Sequence, residues 1–172
     1  VGITFSALLH PSKGLINEVI TALGGNAVDW LGNTQIALYA VAAVDIWKGV
    51  SIATVIFIAG IQSIDKTFYE AASIDGASAW QKLKSITIPL SRPAMNSIII
   101  LSFIGGLRSF ELIWSMTGGG PGYATEVMAS MVYKQYAAGY YGLSTAGNVI
   151  MFILIAILAF PLQKFLLSKE VD

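Results

Sequence analysis

The sequence predicts an all-α fold, a polytopic bundle of membrane-spanning helices. Three observations carry that expectation. Of the 172 residues, 55% are hydrophobic and only 12% are charged, about half the charged fraction of an ordinary soluble domain, roughly 25%. The mean hydropathy is +0.70. The apolar residues gather into three long stretches, from about residue 35 to 64, 94 to 116 and 145 to 167. Each reaches the roughly 20 residues that a helix needs to cross a bilayer. A helix pairs its own backbone donors and acceptors, which hydrocarbon cannot do for it.

In chain order, Val1 to Leu9 is apolar and reads as the tail of a further span. With no initiator Met and no basic leader, the chain is expected to be a fragment whose N-terminal spans are missing. Residues 10–34 are mixed, with Leu15, Ile16, Val19, Ile20 and Leu23 at helical spacing. That pattern predicts a short amphipathic helix lying at the membrane interface. The first full span follows. Residues 62–93 are polar and hold two short helical patterns. The second span then leads into Thr117-Gly118-Gly119-Gly120-Pro121-Gly122, a run that no helix tolerates. The segment up to residue 144 is rich in tyrosine (Tyr133, Tyr136, Tyr140, Tyr141), which concentrates where hydrocarbon meets water. The third span completes the chain.

Charge orients these elements. The central loop carries Lys66, Lys82, Lys84 and Arg92, and the tail carries Lys164 and Lys169; the opposite loops carry only Lys13 and Lys134. Six against two places the central loop and the tail in the cytoplasm. Several function classes drop out on composition. The formal net charge is zero, so no basic surface invites nucleic acid. With no cysteine and a single histidine, His10, thiolate sites and histidine metal clusters are excluded, and no nucleophile–base set suggests an intramembrane enzyme. His10 reads as a loop residue.

The central loop, residues 65–89, is the richest in local signals. Thr67 and Glu70 have capping-box spacing and predict a helix start at Thr67. Gly76 is placed to end that helix. Ser78 and Gln81 repeat the capping box for a second helix, which Pro89 is expected to stop. The result is helix, glycine turn, helix. Ala71 and Ala72 keep one face thin, Phe68, Tyr69 and Ile74 supply apolar anchors, and Glu70 and Asp75 supply charge. Spacing alone leaves two readings: a knob that docks on a partner, or a loop packed on its own subunit.

Glu70-Ala71-Ala72, then Gly76, then Ile86-Thr87-Ile88-Pro89 resembles the EAA loop of ABC importer permeases of the type I fold. Tyr69 to Ala77, the Thr117 to Pro121 run, Trp47-Lys48 and the ending Phe165-Leu166-Leu167 resemble the carbohydrate, maltose-type branch. Ile88 departs from it, where leucine is usual. The resemblance covers residues 1–172 as one transmembrane permease domain. It implies a second permease subunit, two ATPase subunits, a periplasmic or lipid-anchored sugar-binding protein, a sugar substrate and a bacterial inner-membrane location. It implies that the loop is a cytoplasmic coupling helix acting through Tyr69, Glu70, Ala71, Ala72, Asp75, Gly76, Ala77 and Trp80. ATP and magnesium would sit on the partner ATPase; this chain has no Gly-x4-Gly-Lys-Ser/Thr loop, no cofactor is expected on it, and it would transport without catalysing.

Polar groups inside spans usually face a cavity or a partner. Asp45, Gly49 and Ile52 share one helical face of the first span, and Ser102, Gly105, Gly106 and Ser109 one face of the second. These match the sugar-lining face of maltose-type permeases; the glycines read equally as sites of close helix packing. Trp47 suits stacking on a sugar or anchoring at the interface. Arg108 with Glu111, and Asp45 with Lys48, are three apart and expected to pair. Two alternatives stay open: the same fold importing glycerol-3-phosphate or another polar metabolite, and a different class altogether, an ion-coupled secondary transporter that needs no ATPase.

Overall fold

A computed structural model describes residues 1–168; Lys169, one of the tail cations counted above, lies outside them. The described residues are helical, with no strand among them. The chain divides into two compact units. The first comprises Val1–Lys48 and Leu107–Leu154, the second Gly49–Gly106 and the residues from Ile155 onward.

In the first unit, α1 (Gly2–Leu8) and α2 (Leu15–Ala22) precede the opening turns of α3 (Ala37–Gln62). Leu9, Val41, Val44, Leu112, Ile113 and Met116 form its core, with Phe5, Ile16, Trp30, Leu31 and Val127 packed against them. Gly2 is small for a reason, since a Cβ there would overlap the Ser115 side chain. The amphipathic helix expected after residue 10 is present as α2. Its anchor is a polar residue, Asn17, only 3% exposed. Asn17 donates from Nδ2 to the Pro11 and Val28 carbonyls (3.1 and 2.8 Å) and accepts from Val28 N and Trp30 Nε1 (3.1 and 3.2 Å). A buried carboxamide satisfied this fully holds a loop as firmly as apolar packing does.

In the second unit, α3 ends at Gln62 and is followed by α4 (Lys66–Ile74), α5 (Ala79–Lys82), a π-helical segment (Leu83–Thr87), α6 (Ile88–Leu90) and α7 (Arg92–Leu107). A Cβ on Gly60 would overlap the Ala94 Cβ, so α3 and α7 meet there through small residues. Asn96 donates to the Leu166 carbonyl at the end of α10 (Tyr141–Leu167) (3.1 Å). Among the described residues, two helices, α3 and α10, are long and apolar enough to cross a membrane, while residues 79–90 and α7 form a pair bent by 58°.

Three expectations need correction. The second span is not one helix from 94 to 116: α7 stops at Leu107, residues 108–110 leave the helix, and α8 (Glu111–Met116) restarts it. Two consecutive glycines weaken the helix there, and the break lets Phe110 join a ring cluster with Trp114 (5.7 Å between centroids) and Tyr133 (5.1 Å). Pro89 does not stop its helix. Helical structure continues to Leu90, because the preceding π-helical turn widens the helix where the proline lacks a donor and its ring would crowd a carbonyl. The first loop helix starts at Lys66 rather than Thr67, because Asp65 is the cap and accepts from Thr67 N at 2.9 Å. One element had no sequence signal assigned to it, α9 (Met128–Ala137), inside the tyrosine-rich segment.

Candidate functional site: the elbow and the outer loop

The elbow of residues 65–89 is built by local capping. Two hydrogen bonds from Thr67, backbone then side chain, hold the Asp65 carboxyl below the usual range, against a small opposing desolvation. At the other end of α4, Gly76 N–H reaches the Ser73 carbonyl (3.2 Å) and Ala77 N–H the Ala72 carbonyl (2.9 Å). This is a Schellman close, and it requires the left-handed Gly76 (φ 74°). The Ser78–Gln81 capping box forms as expected, with Ser78 N–H donating to Gln81 Oε1 (2.7 Å) and Gln81 N–H to Ser78 Oγ (3.4 Å).

Two side-chain bonds then tie the limbs together. Tyr69 Oη and Thr87 Oγ1 are 2.9 Å apart, and Lys82 Nζ donates to Ser73 Oγ at 2.7 Å. Tyr69, grouped above with the outward anchors, is therefore half-buried and braces its own elbow. Phe68, Ile74 and Trp80 do face outward; Ile74 is 87% and Trp80 71% exposed. Glu70, Ala71 and Asp75 are exposed too, while Ala72 and Ala77 are half-buried inside the turn. No residue of α4 is buried. The elbow is thus internally closed and presents apolar side chains to its surroundings.

The residues expected to line a substrate path are placed as follows. In the first unit Asp45 and Ser109 are half-buried; in the second Gly49, Ile52, Ser102, Gly105 and Gly106 are exposed. Ser109 does not continue the α7 face, since that helix ends at Leu107. A Cβ on Gly49, Gly105 or Gly106 would meet no atom within 4 Å, so within the described residues these glycines do not mediate close packing; Gly2, Gly60 and Gly147 are the ones whose Cβ positions collide with another helix's side chain. The expected local ion pairs are replaced by a distant one. Lys48 Nζ pairs with Glu111 Oε2 at 3.4 Å, both side chains being well exposed, so neither Arg108 with Glu111 nor Asp45 with Lys48 is the pair formed. A pair this exposed contributes about 0–1 kcal/mol. Trp47 meets Phe5 edge-on (5.0 Å) and is 60% exposed.

The glycine-rich segment after α8, which the charge bias assigns to the outer side, folds into a braced loop that the sequence did not disclose. Thr125, 1% exposed, donates to the Gly120 carbonyl (2.6 Å) and shares a hydrogen bond with Thr117 Oγ1 (2.7 Å). Glu126 is paired with Lys134 and accepts from Ser130 Oγ (2.8 Å). The Lys134 hydrogen bond outweighs desolvation and holds the Glu126 carboxyl below its usual range, with Ser130 and the Lys134 charge adding to the effect. Gly118, Gly119, Gly122 and Tyr123 all take left-handed backbone.

Comparison with known proteins agrees with this architecture. Residues 3–170 match the family described as binding-protein-dependent transport system inner membrane component. The trehalose/maltose transport system permease protein MalF of Thermococcus litoralis is 39% identical over 152 residues, covering 88% of this chain and 52% of that protein. The sulfoquinovosyl glycerol transport system permease protein SmoG of Agrobacterium fabrum is 32% identical, covering 89% and 50%. A crystal structure of a bacterial alginate ABC transporter in complex with alginate pentasaccharide-bound periplasmic protein superposes with a TM-score of 0.77 at 26% identity, covering 96% of this chain and 58% of that one. The chain spans about half the length of the curated relatives it matches. By the match over residues 3–170, the chain belongs to the inner-membrane components of binding-protein-dependent transport systems, and its helical fold is that of an ABC importer permease.

Proposed function

We propose that this chain is part of a permease subunit that carries a saccharide across the inner membrane by alternating access, driven by ATPase subunits on the cytoplasmic side. The observation that carries the reading is the elbow: a helix–turn–helix closed on itself by Tyr69–Thr87 and Lys82–Ser73, with Phe68, Ile74 and Trp80 exposed. A braced element that shows its apolar side chains to the outside is suited to sit in a partner's cleft and move as one piece. Glu70 and Asp75 would fix its orientation there. Closure of an ATPase dimer around ATP and magnesium would push the elbow, and α7, which follows it in the same unit, would carry the displacement into the bundle as rigid-body motion.

The importer further calls for a second permease subunit and a solute-binding protein on the outer side. The names of the relatives, trehalose/maltose and sulfoquinovosyl glycerol permeases, favour a saccharide or glycoside as cargo. Within the second unit, Ser102 and the open space at Gly49, Gly105 and Gly106 suit a bulky polar ligand; Asp45, in the first unit, is a candidate on the resemblance alone.

The test is uptake of labelled maltose, trehalose and sulfoquinovosyl glycerol into proteoliposomes holding the complete transporter. Uptake should require ATP inside and the binding protein outside, and Gly76→Asp or Glu70→Lys should weaken recovery of the ATPase with the permease. Uptake that persists without the ATPase and follows an ion gradient would replace this reading with a secondary carrier.

A further inference from the structure

Four residues of the outer loop adopt left-handed backbone: Gly118 (φ 60°), Gly119 (φ 94°), Gly122 (φ 53°) and Tyr123 (φ 66°). Three are glycine, the residue that takes this conformation without steric cost. The fourth carries one of the largest side chains, in a region where a Cβ crowds the following carbonyl. The tyrosine does not repay that strain by packing: it is 79% exposed, and the cation near its ring, the Lys134 ammonium 5.8 Å from the centroid, is already paired with Glu126. The loop is meanwhile held rigid from beneath by the Thr117–Thr125–Gly120 bonds and by the Glu126–Ser130–Lys134 set. Strained residues persist where the surroundings over-determine them, and they cluster where the side chain has a task.

We infer that Tyr123 is a recognition anchor, a ring held out from a rigid loop to dock the solute-binding protein of this importer. The inference rests on the importer reading above. The lysine and arginine bias of the sequence assigns this loop to the side away from the cytoplasm, where that protein delivers its cargo. An exposed tyrosine with few torsions to freeze is the type of residue that dominates protein–protein contacts. The alternative occupant is lipid, since tyrosines also line the membrane interface.

The experiment compares Tyr123→Gly, Tyr123→Ala and Tyr123→Phe in the complete transporter in lipid nanodiscs. The probe is the solute-binding protein of the same operon, loaded with maltose or trehalose. Glycine and alanine should weaken its binding about tenfold or more, and phenylalanine should retain most of it. Glycine, which relieves the backbone, should raise the temperature of thermal unfolding while it lowers affinity. That opposed pair of changes is what neither a structural residue nor a lipid anchor would give. Unchanged affinity in Tyr123→Gly would overturn the assignment, as would a fall in stability and affinity together. A wild-type complex that binds no solute-binding protein would overturn the importer reading, and this assignment with it.

Discussion

Removing the Tyr69 hydroxyl tests whether the elbow is a rigid lever. Tyr69→Phe deletes one half of the 2.9 Å bond to Thr87 Oγ1 and leaves the ring in place. Thr87 keeps a second, longer contact to the Lys82 carbonyl (3.5 Å), so its oxygen is not left stranded and the loss is that of one ordinary hydrogen bond, about 1 kcal/mol. Such a loss raises local opening of α4 about fivefold. Lys82→Met removes the other cross-link, to Ser73, at a similar or smaller cost, because the ammonium end is exposed and screened. Both limbs share one turn, so the two substitutions are expected to couple rather than add. Amide hydrogen exchange over residues 66–74 reads the opening directly, and the number of sugars imported per ATP hydrolysed reads the consequence. Exchange should quicken in each single variant, most in the double, and sugar per ATP should fall in the same order. Unaltered exchange over residues 66–74 in the double variant would refute the idea that these two bonds close the elbow. Quickened exchange with an unchanged sugar-to-ATP ratio would refute the idea that its stiffness matters for coupling.

Two further outcomes follow from the geometry. Gly60→Val should destabilise the second unit by about 1–3 kcal/mol, the usual cost of overpacking, because the new side chain would overlap Ala94; thermal unfolding in detergent measures it, and Gly60→Ala with Ala94→Gly should recover much of the loss. The outer loop should be acid-sensitive. The folded pKa of Glu126 is depressed by Lys134 and Ser130, so its stabilisation is complete above the unfolded value of about 4.3 and is lost as pH falls through the lowered folded value. Proteolysis of the loop should therefore accelerate only below about pH 4.3, and Glu126→Gln should abolish that dependence.

What could be read from the sequence, and what could not, divides by the range of the interaction responsible. The spans at α3 and α10 are legible because twenty-odd apolar residues admit few alternatives to a helix in lipid. The elbow is legible because its turn is written in adjacent residues: Gly76 for a left-handed close, Ser78 and Gln81 for a reciprocal cap. Even there, Asp65 won the cap from Thr67, since its carboxylate, two residues earlier, accepts from the Thr67 N–H. The break at residues 108–110 has a partial signal in the sequence, Gly105-Gly106 followed by Arg108-Ser109, but what fixes it is long-range: a ring cluster that brings Tyr133, more than twenty residues on, against Phe110 and Trp114.

The same division explains the charges. The i,i+3 rule pairs Glu111 with Arg108, but it presumes one continuous helix. Once residues 108–110 leave the helix, that geometry is gone, and the carboxylate of Glu111 meets Lys48, 63 positions away in the chain. Tyr69 follows the same logic. Its sequence surroundings mark it as an amphipathic anchor, and only the fold of the elbow, which returns Thr87 to within 2.9 Å, turns it inward. Phe68, Ile74 and Trp80 on the elbow and Tyr123 on the outer loop are among the side chains left facing outward after such contacts are formed. In the importer proposed above, the elbow side chains would take the push of the ATPase and Tyr123 would meet the solute-binding protein.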